Sequence, residues 1–150
     1  MLKKYKFGID VWAIWLIAVI MLPNIIWALS SLPNDILKRE TLTPVLDNIM
    51  TIAQVLMILA LCLIRNKDTQ NRPIKSSLPA ISVAMCMIYY SAWIFYFCGS
   101  AGGFILTALC TVPCIALILY CLFRKNAPAL LFTALFSIFH IMRTVLNFLV

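Results

Sequence analysis

Five runs of about twenty apolar residues, separated by short polar segments, constrain the fold of this chain more than any other feature. An α-helix needs a run of that length to cross the hydrocarbon core of a bilayer. Of the 150 residues, 64% are hydrophobic and 11% are charged, which is more apolar surface than a soluble domain of this size can bury. The sequence therefore predicts an all-α integral membrane bundle, a single domain of five transmembrane helices. The predicted spans are residues 7–29, 45–64, 78–97, 104–123 and 127–150.

The basic residues between the spans predict the orientation. Short cytoplasmic loops of membrane proteins carry an excess of lysine and arginine. Placing the N-terminus in the cytoplasm puts nine basic residues inside and two, Lys38 and Arg39, outside, with Arg143 within a span. We therefore predict a cytoplasmic N-terminus and an extracytoplasmic C-terminus. The nine inside residues are Lys3, Lys4, Lys6, Arg65, Lys67, Arg72, Lys75, Arg124 and Lys125.

Local signals mark the ends of several helices. Thr43 followed by Pro44 offers a capping hydroxyl and a proline at the first helical position. Asn126 is a cap for the fifth span. The uncharged segment 98–103 contains three glycines and predicts a tight turn. Asp10 lies near the cytoplasmic end of the first span, where we expect lysines and water to accommodate its charge.

The fifth span carries a polar face. At about 100° per residue, its six polar side chains fall within an arc of roughly 120° on a helix. Arg143 lies about 10 Å below the outer end of this span. A charged side chain inside a membrane seldom faces lipid, so we expect Arg143 to face the protein or water. The six are Thr133, Ser137, His140, Arg143, Thr144 and Asn147.

Polar side chains on three other spans lie at matching depths. On the second span, Asp47, Thr51 and Gln54 are spaced i, i+4 and i+7, which places them on one helix face. Asn24 of the first span and Tyr89 of the third also fall in the outer half of the predicted membrane. The sequence thus predicts a polar cluster open to the outside. Its candidate ligand-binding residues are Asn24, Asp47, Gln54, Tyr89, His140, Arg143 and Asn147.

Each of these features also has a purely structural interpretation. Arg143 can serve only to pair with Asp47 or to reach the outer headgroups, and His140 can be a hydrogen-bonded packing residue. The third span has a stripe that includes Trp93, which predicts core packing. The six cysteines lack a second clustered ligand and any C-x-x-C pair, so we expect packing residues, with no metal site and no cofactor.

The segment Met21-Leu22-Pro23-Asn24-Ile25-Ile26-Trp27 resembles the first-span motif of small, uncharacterised multi-span membrane proteins of Gram-positive bacteria. The later segment 46–50 and Gln54 are compatible with the same pattern. The resemblance covers about the first third of the chain. It implies a bacterial plasma (inner) membrane location, and it implies no activity.

Two functional hypotheses follow from the sequence. The first is a binding or transport protein for a small anionic or zwitterionic ligand, such as a carboxylate or a lipid headgroup, held by Arg143. The second is a non-catalytic interaction or regulatory subunit, with a membrane partner or a second copy of the chain on its polar face. We find no catalytic constellation, so we do not expect an enzyme. The net charge of +7 comes without a basic face or a reading motif, so we expect no nucleic-acid partner.

Overall fold

The computed structural model describes residues 4–33, 35–69 and 77–149. These residues contain five α-helices, each long and apolar enough to cross a membrane. The last helix continues as a π-helical turn over Val145–Leu149. Among the predicted cytoplasmic basic residues, Lys3, Arg72 and Lys75 lie outside the described residues. The helices are α1 (Val11–Leu29), α2 (Pro44–Leu63), α3 (Ser77–Phe97), α4 (Gly103–Phe123) and α5 (Ala127–Thr144).

The helices pack around α4, which is the most buried of the five. It lies between α3 and α5, and α5 in turn packs along α2. Ala116 of α4 and Ala129 of α5 are completely buried, because small side chains let neighbouring helices approach closely. The first helix, α1, makes fewer contacts with the rest of the bundle. The bundle is therefore four closely packed helices with α1 on its side.

A small antiparallel sheet that the sequence did not predict accompanies the five helices. Strand β1 (Tyr5–Phe7) pairs with β2 (Ile64–Asn66), and Lys6 lies directly opposite Arg65. The predicted first span began at residue 7, but α1 begins at Val11. The reason is that Asp10 caps α1, accepting hydrogen bonds from the backbone amides of the second and third helical residues. The residues before it hydrogen-bond to the end of α2 instead of forming a further helical turn.

One end of the bundle, hereafter the basic end, joins this sheet to the turn between α4 and α5. The side chain of Asn126 accepts a hydrogen bond from the Ala129 amide at 3.3 Å, so the predicted cap is confirmed. The same side chain donates to the Ile64 carbonyl at 2.6 Å. Asn66 donates to the Lys125 carbonyl at 2.9 Å. The basic end thus contains the start of α1, the end of α2 and the α4–α5 turn.

The opposite end contains the start of α2, the end of α5 and the α3–α4 turn. Helix α2 begins at Pro44, but the prediction of a capping hydroxyl was wrong. Thr43 makes no capping bond, and its hydroxyl instead accepts a hydrogen bond from the Asn147 side chain of α5 at 2.8 Å. Gly99 in the α3–α4 turn has a φ of 90°, a left-handed conformation that favours glycine.

Candidate functional site

The centre of the candidate site is an ion pair between α2 and α5. Arg143 donates through Nε to Asp47 Oδ1 at 2.6 Å, which confirms the predicted pairing. Asp47 lies in the first turn of α2, where the helix dipole favours a negative charge, and Arg143 lies in the last turn of α5, where it favours a positive one. The Arg143 side chain is 21% exposed, and the Asp47 side chain is 25% exposed. The pair is therefore mostly shielded and partly accessible.

Asn147 fixes the end of α5 against the segment that leads into α2. Its amide nitrogen donates to the Thr43 hydroxyl and to the Arg143 carbonyl, both at 2.8 Å. Its amide oxygen accepts from the Leu42 backbone at 2.6 Å. These three bonds leave an asparagine little capacity for a ligand. Asn147 therefore positions the ion pair, and a direct contact with a ligand is not needed to explain it.

His140 lies one turn before Arg143 and has mostly apolar contacts. Its Nδ1 is 3.4 Å from the sulfur of Met50. Its ring stacks on Phe136, with the ring centroids 5.0 Å apart and the planes at 17°. Neither neighbour can exchange a proton with the imidazole. The geometry favours the interpretation of His140 as a packing residue.

The hydroxyls on the polar face of α5 are used within the helix. Thr133 donates to the Ala129 carbonyl and Ser137 to the Thr133 carbonyl, both at 2.7 Å. Thr144 donates to the His140 carbonyl at 3.0 Å. All three hydroxyl-bearing residues are buried. Charged and amide groups of the predicted polar face contact the neighbouring α2 region at Arg143 and Asn147.

The remaining predicted residues lie around α1. Asn24 donates to the Tyr89 hydroxyl at 2.7 Å, which joins α1 to α3, and also to its own helix at the Ile20 carbonyl. Gln54 of α2 lies with its amide nitrogen 3.8 Å from the sulfur of Met21. Within the described parts of the chain, no hydrogen bond or ion pair connects this group to the Asp47–Arg143 pair. The seven candidate residues thus do not form one cluster: Asn24 contacts Tyr89, Asp47 and Asn147 contact Arg143, and Gln54 and His140 each lie against a methionine sulfur.

A carboxylate that the sequence analysis did not single out organises the loop after α1. Asp35 accepts hydrogen bonds from the Trp27 indole at 2.8 Å and from the Tyr96 hydroxyl. It also caps a short 3₁₀ turn through the Leu37 amide. The ammonium of Lys38 lies over the Trp27 ring, 5.5 Å from its centroid. The charges of this loop balance in the sequence, so no pattern distinguished Asp35 from its neighbours.

The aromatic stripe predicted on α3 forms the packing beside this carboxylate. Trp93 stacks on Phe97, with ring centroids 5.3 Å apart, and meets Tyr96 edge-on at 5.5 Å. Tyr89 and Trp27 complete the group, each 6.3 Å from the Trp93 ring. The Trp93 indole nitrogen is buried and has no hydrogen-bond partner in the described residues. The rings fill the space between α1 and α3, which confirms the core-packing interpretation.

A second ion pair at the basic end was also missed. Asp10 accepts from Arg124 Nη2 at 3.3 Å, and the two side chains are only 8% and 11% exposed. Arg124 also donates through Nε to the Tyr120 hydroxyl at 3.1 Å. The expectation that lysines and water accommodate Asp10 was therefore wrong. A pair separated by 114 residues leaves no local signal in the sequence.

The cavity near these sites is small, and most of the cysteine thiols are buried. A cavity of about 10 Å³ at the basic end is bordered by Asp10, Asn66 and Arg124, which is room for at most one water. The described residues contain no group of three potential metal ligands. The six cysteines are free. Four of them are buried, as expected for packing residues, and Cys98 is exposed.

Comparison with known proteins finds no matching family model, no matching curated protein and no matching solved structure. The resemblance of the first-span motif to bacterial membrane proteins therefore stays a prediction. What the chain does has to be inferred from its own contacts, above all from the ion pair between α2 and α5.

Proposed function

We propose that this chain is a multi-pass protein of a bacterial plasma membrane that binds a small zwitterionic or anionic ligand, with a lipid headgroup as the preferred class. The observation that carries the proposal is the unused hydrogen-bonding capacity of the Arg143 guanidinium. Its Nε bonds to Asp47, while its Nη1 and Nη2 make no hydrogen bond to the described residues. About a fifth of the side chain is also accessible.

An arginine in this state suits a phosphate or a carboxylate. The two terminal nitrogens form a planar fork that can donate to two oxygens of one anionic group. Asp47 beside it keeps a quarter of its side chain exposed, so the site presents a negative charge next to the positive one. A zwitterionic headgroup, with a phosphate and an ammonium, matches both charges. Phosphatidylethanolamine has this chemistry.

The position of the pair also favours a headgroup. Asp47 is the fourth residue of α2, and Arg143 lies six residues before the end of the π-helical turn. At 1.5 Å per residue, both lie within roughly 5–10 Å of the ends of their helices. In the predicted orientation this end faces the extracytoplasmic side. A headgroup at the membrane surface can reach that depth without entering the hydrocarbon core.

The experiment compares the melting temperature of the purified protein in neutral detergent with and without added lipid. Phosphatidylethanolamine, phosphatidylglycerol and phosphatidylcholine are tested beside soluble phosphoethanolamine and simple carboxylates. Arg143→Lys keeps the charge but loses the fork, so it should lose the stabilisation that the wild type gains. Lys38→Gln, which removes a basic residue from the same end of the bundle, should keep it. A wild type that shows no shift with any compound would contradict the proposal.

The second candidate function is an interaction subunit of a membrane complex. The observation in its favour is an exposed stripe on α1, in which Trp12 and Trp15 are 62% and 64% exposed. With Val19, Leu22 and Ile26, which are also exposed, this stripe has the alternating spacing of three and four residues that packs against another helix. Native mass spectrometry of the protein extracted from its own membrane separates the two functions. A co-purifying lipid supports the first, whereas a co-purifying polypeptide that is lost in Trp15→Ala supports the second.

A further inference from the structure

The two-stranded sheet at the basic end concentrates positive charge. Lys6 and Arg65 are direct partners across the strands. Lys4 immediately precedes β1, Lys67 immediately follows β2, and both are exposed. Lys125, in the α4–α5 turn that hydrogen-bonds to Asn66 of β2, is exposed as well. Five basic side chains therefore lie on or next to a sheet of six residues.

Like charges directly opposite each other in an antiparallel sheet destabilise it. Neither Lys6 nor Arg65 forms an ion pair with the described acidic residues. Of the two acidic residues near the sheet, Asp10 is already paired with Arg124, and Asp68 is exposed to solvent. Arg65 Nη1 donates to the Ile9 carbonyl at 3.2 Å, which gives a hydrogen bond without an opposite charge. Lys6 and Arg65 therefore face each other as like charges, and no ion pair with a described residue compensates them.

The residues beside the sheet are exposed and apolar. Phe7 at the end of β1 is 86% exposed, and Ile9 in the link to α1 is 61% exposed. Both precede Val11, where the apolar helix α1 begins. Basic side chains next to exposed apolar ones, at the start of a membrane span, are typical of a segment at the level of the lipid headgroups. In that position the basic residues meet phosphates, while Phe7 and Ile9 meet the upper part of the acyl chains.

We propose that the sheet is a binding surface for anionic phospholipids, with the phosphate of a lipid such as phosphatidylglycerol between Lys6 and Arg65. The lipid phosphate supplies the opposite charge that the cross-strand pair lacks, so β1 stays paired with β2 when anionic lipid is present. Lys4, Lys67 and Lys125 attract further headgroups around this phosphate. The inference rests on the proposed membrane location, but it is independent of the site at Arg143, which lies at the opposite end.

The experiment uses the full-length protein in nanodiscs of phosphatidylcholine alone or of phosphatidylcholine with phosphatidylglycerol. Lys6 and Arg65 form a hydrogen-bonded pair of the ladder, two residues along from the bond between the Gly8 amide and the Leu63 carbonyl, so hydrogen exchange of their backbone amides reports whether β1 is paired. We expect slower exchange in the discs that contain phosphatidylglycerol. Native mass spectrometry of protein released from the discs should show retained phosphatidylglycerol. Soluble glycerol phosphate added to phosphatidylcholine discs should not slow exchange, since it lacks the acyl chains that keep the phosphate at the surface.

The test variant is Lys6→Gln with Arg65→Gln, and the matched control is Lys38→Gln with Arg39→Gln at the opposite end. Each basic residue near an anionic surface contributes roughly a fivefold change in affinity, so the test variant should retain much less phosphatidylglycerol than the control. Its exchange at the amides of residues 6 and 65 should no longer depend on the lipid. If the double variant fails to fold, Lys6→Gln alone should show a smaller loss.

Two results would overturn the inference. Exchange and lipid retention that are the same in both kinds of disc would show that the sheet does not bind anionic lipid. Equal effects of the test and control variants would show that the lipid acts through overall charge and not through the sheet. Extraction with alkaline carbonate separates these failures from a failure of the membrane proposal. A chain that resists extraction but ignores phosphatidylglycerol is a membrane protein without this site, whereas a chain that is released contradicts both proposals.

Discussion

The buried ion pair between Asp10 and Arg124 can be tested by a substitution that separates its two roles. Asp10 caps α1 through its carboxylate and also pairs with Arg124 across the bundle. Asparagine is as good a cap as aspartate, but it has no charge. Asp10→Asn therefore removes the ion pair and keeps the cap, whereas Asp10→Ala removes both. The difference between the two variants isolates the cap.

The burial of the pair sets the expected size of the effect. Because both side chains are about nine-tenths buried, solvent screens their interaction weakly. Leaving one partner of a buried pair without its opposite charge costs about 3 kcal/mol of unfolding free energy. For a chain of this length, that corresponds to a fall of roughly 6–12 °C in melting temperature. Asp10→Ala should lose about 1 kcal/mol more, the usual contribution of a helix cap.

The assay is equilibrium unfolding in mixed micelles with increasing dodecyl sulfate, followed by tryptophan fluorescence. Arg124→Gln and the double variant Asp10→Asn with Arg124→Gln complete a double-mutant cycle. Two residues in contact should show a coupling energy of about 1–3 kcal/mol, with the double variant more stable than the sum of the single losses implies. A coupling energy near zero would refute the direct pairing of the two side chains. An Asp10→Asn variant as stable as the wild type would refute the argument from burial.

Three further predictions concern other parts of the chain. A reporter inserted before Ala127 should read cytoplasmic and one at the C-terminus external, as the distribution of basic residues requires; the reverse result would invert the orientation. Tyr89→Phe should lower the unfolding free energy by about 0.6–1 kcal/mol in the same micelles, because it removes the hydrogen bond from Asn24. Twice that loss would indicate repacking of the aromatic group. Asp35→Asn should destabilise the loop after α1 by about 1–2 kcal/mol, because charge-assisted bonds from the Tyr96 hydroxyl and the Trp27 indole weaken. Unchanged fluorescence of Trp27 together with unchanged stability would contradict that role.

The helices were predictable from the sequence because apolar runs determine them. Four of the five begin within one residue of the predicted position, at Pro44, Ser77, Gly103 and Ala127. The exception is α1, where capping by Asp10 outweighs the apolar character of the preceding residues. The Asp47–Arg143 contact was also predictable, since an arginine at that depth requires a partner and the depths of the two residues match.

The parts that sequence reasoning missed depend on which helices are neighbours. The chain's periodicity gives the polar face of each helix but not the helix that it meets, so Asn24 and Gln54 were grouped with Arg143 by depth alone. In the structure Asn24 bonds to α3, and Gln54 lies beside α1. The pairing of β1 with β2 is likewise non-local, because it joins residues about sixty positions apart through a register that only the fold defines.

The long sequence separation of the two ion pairs has a consequence for biosynthesis. Arg143 follows Asp47 by 96 residues, and Arg124 follows Asp10 by 114. During synthesis from the N-terminus, α1 and α2 are made before either arginine leaves the ribosome. Their carboxylates then have to remain near water or be protonated until α4 and α5 arrive. The hydroxyls of α5 bond within their own helix, so in a membrane α5 does not need a partner helix to satisfy them, and it brings the positive charge that pairs with Asp47.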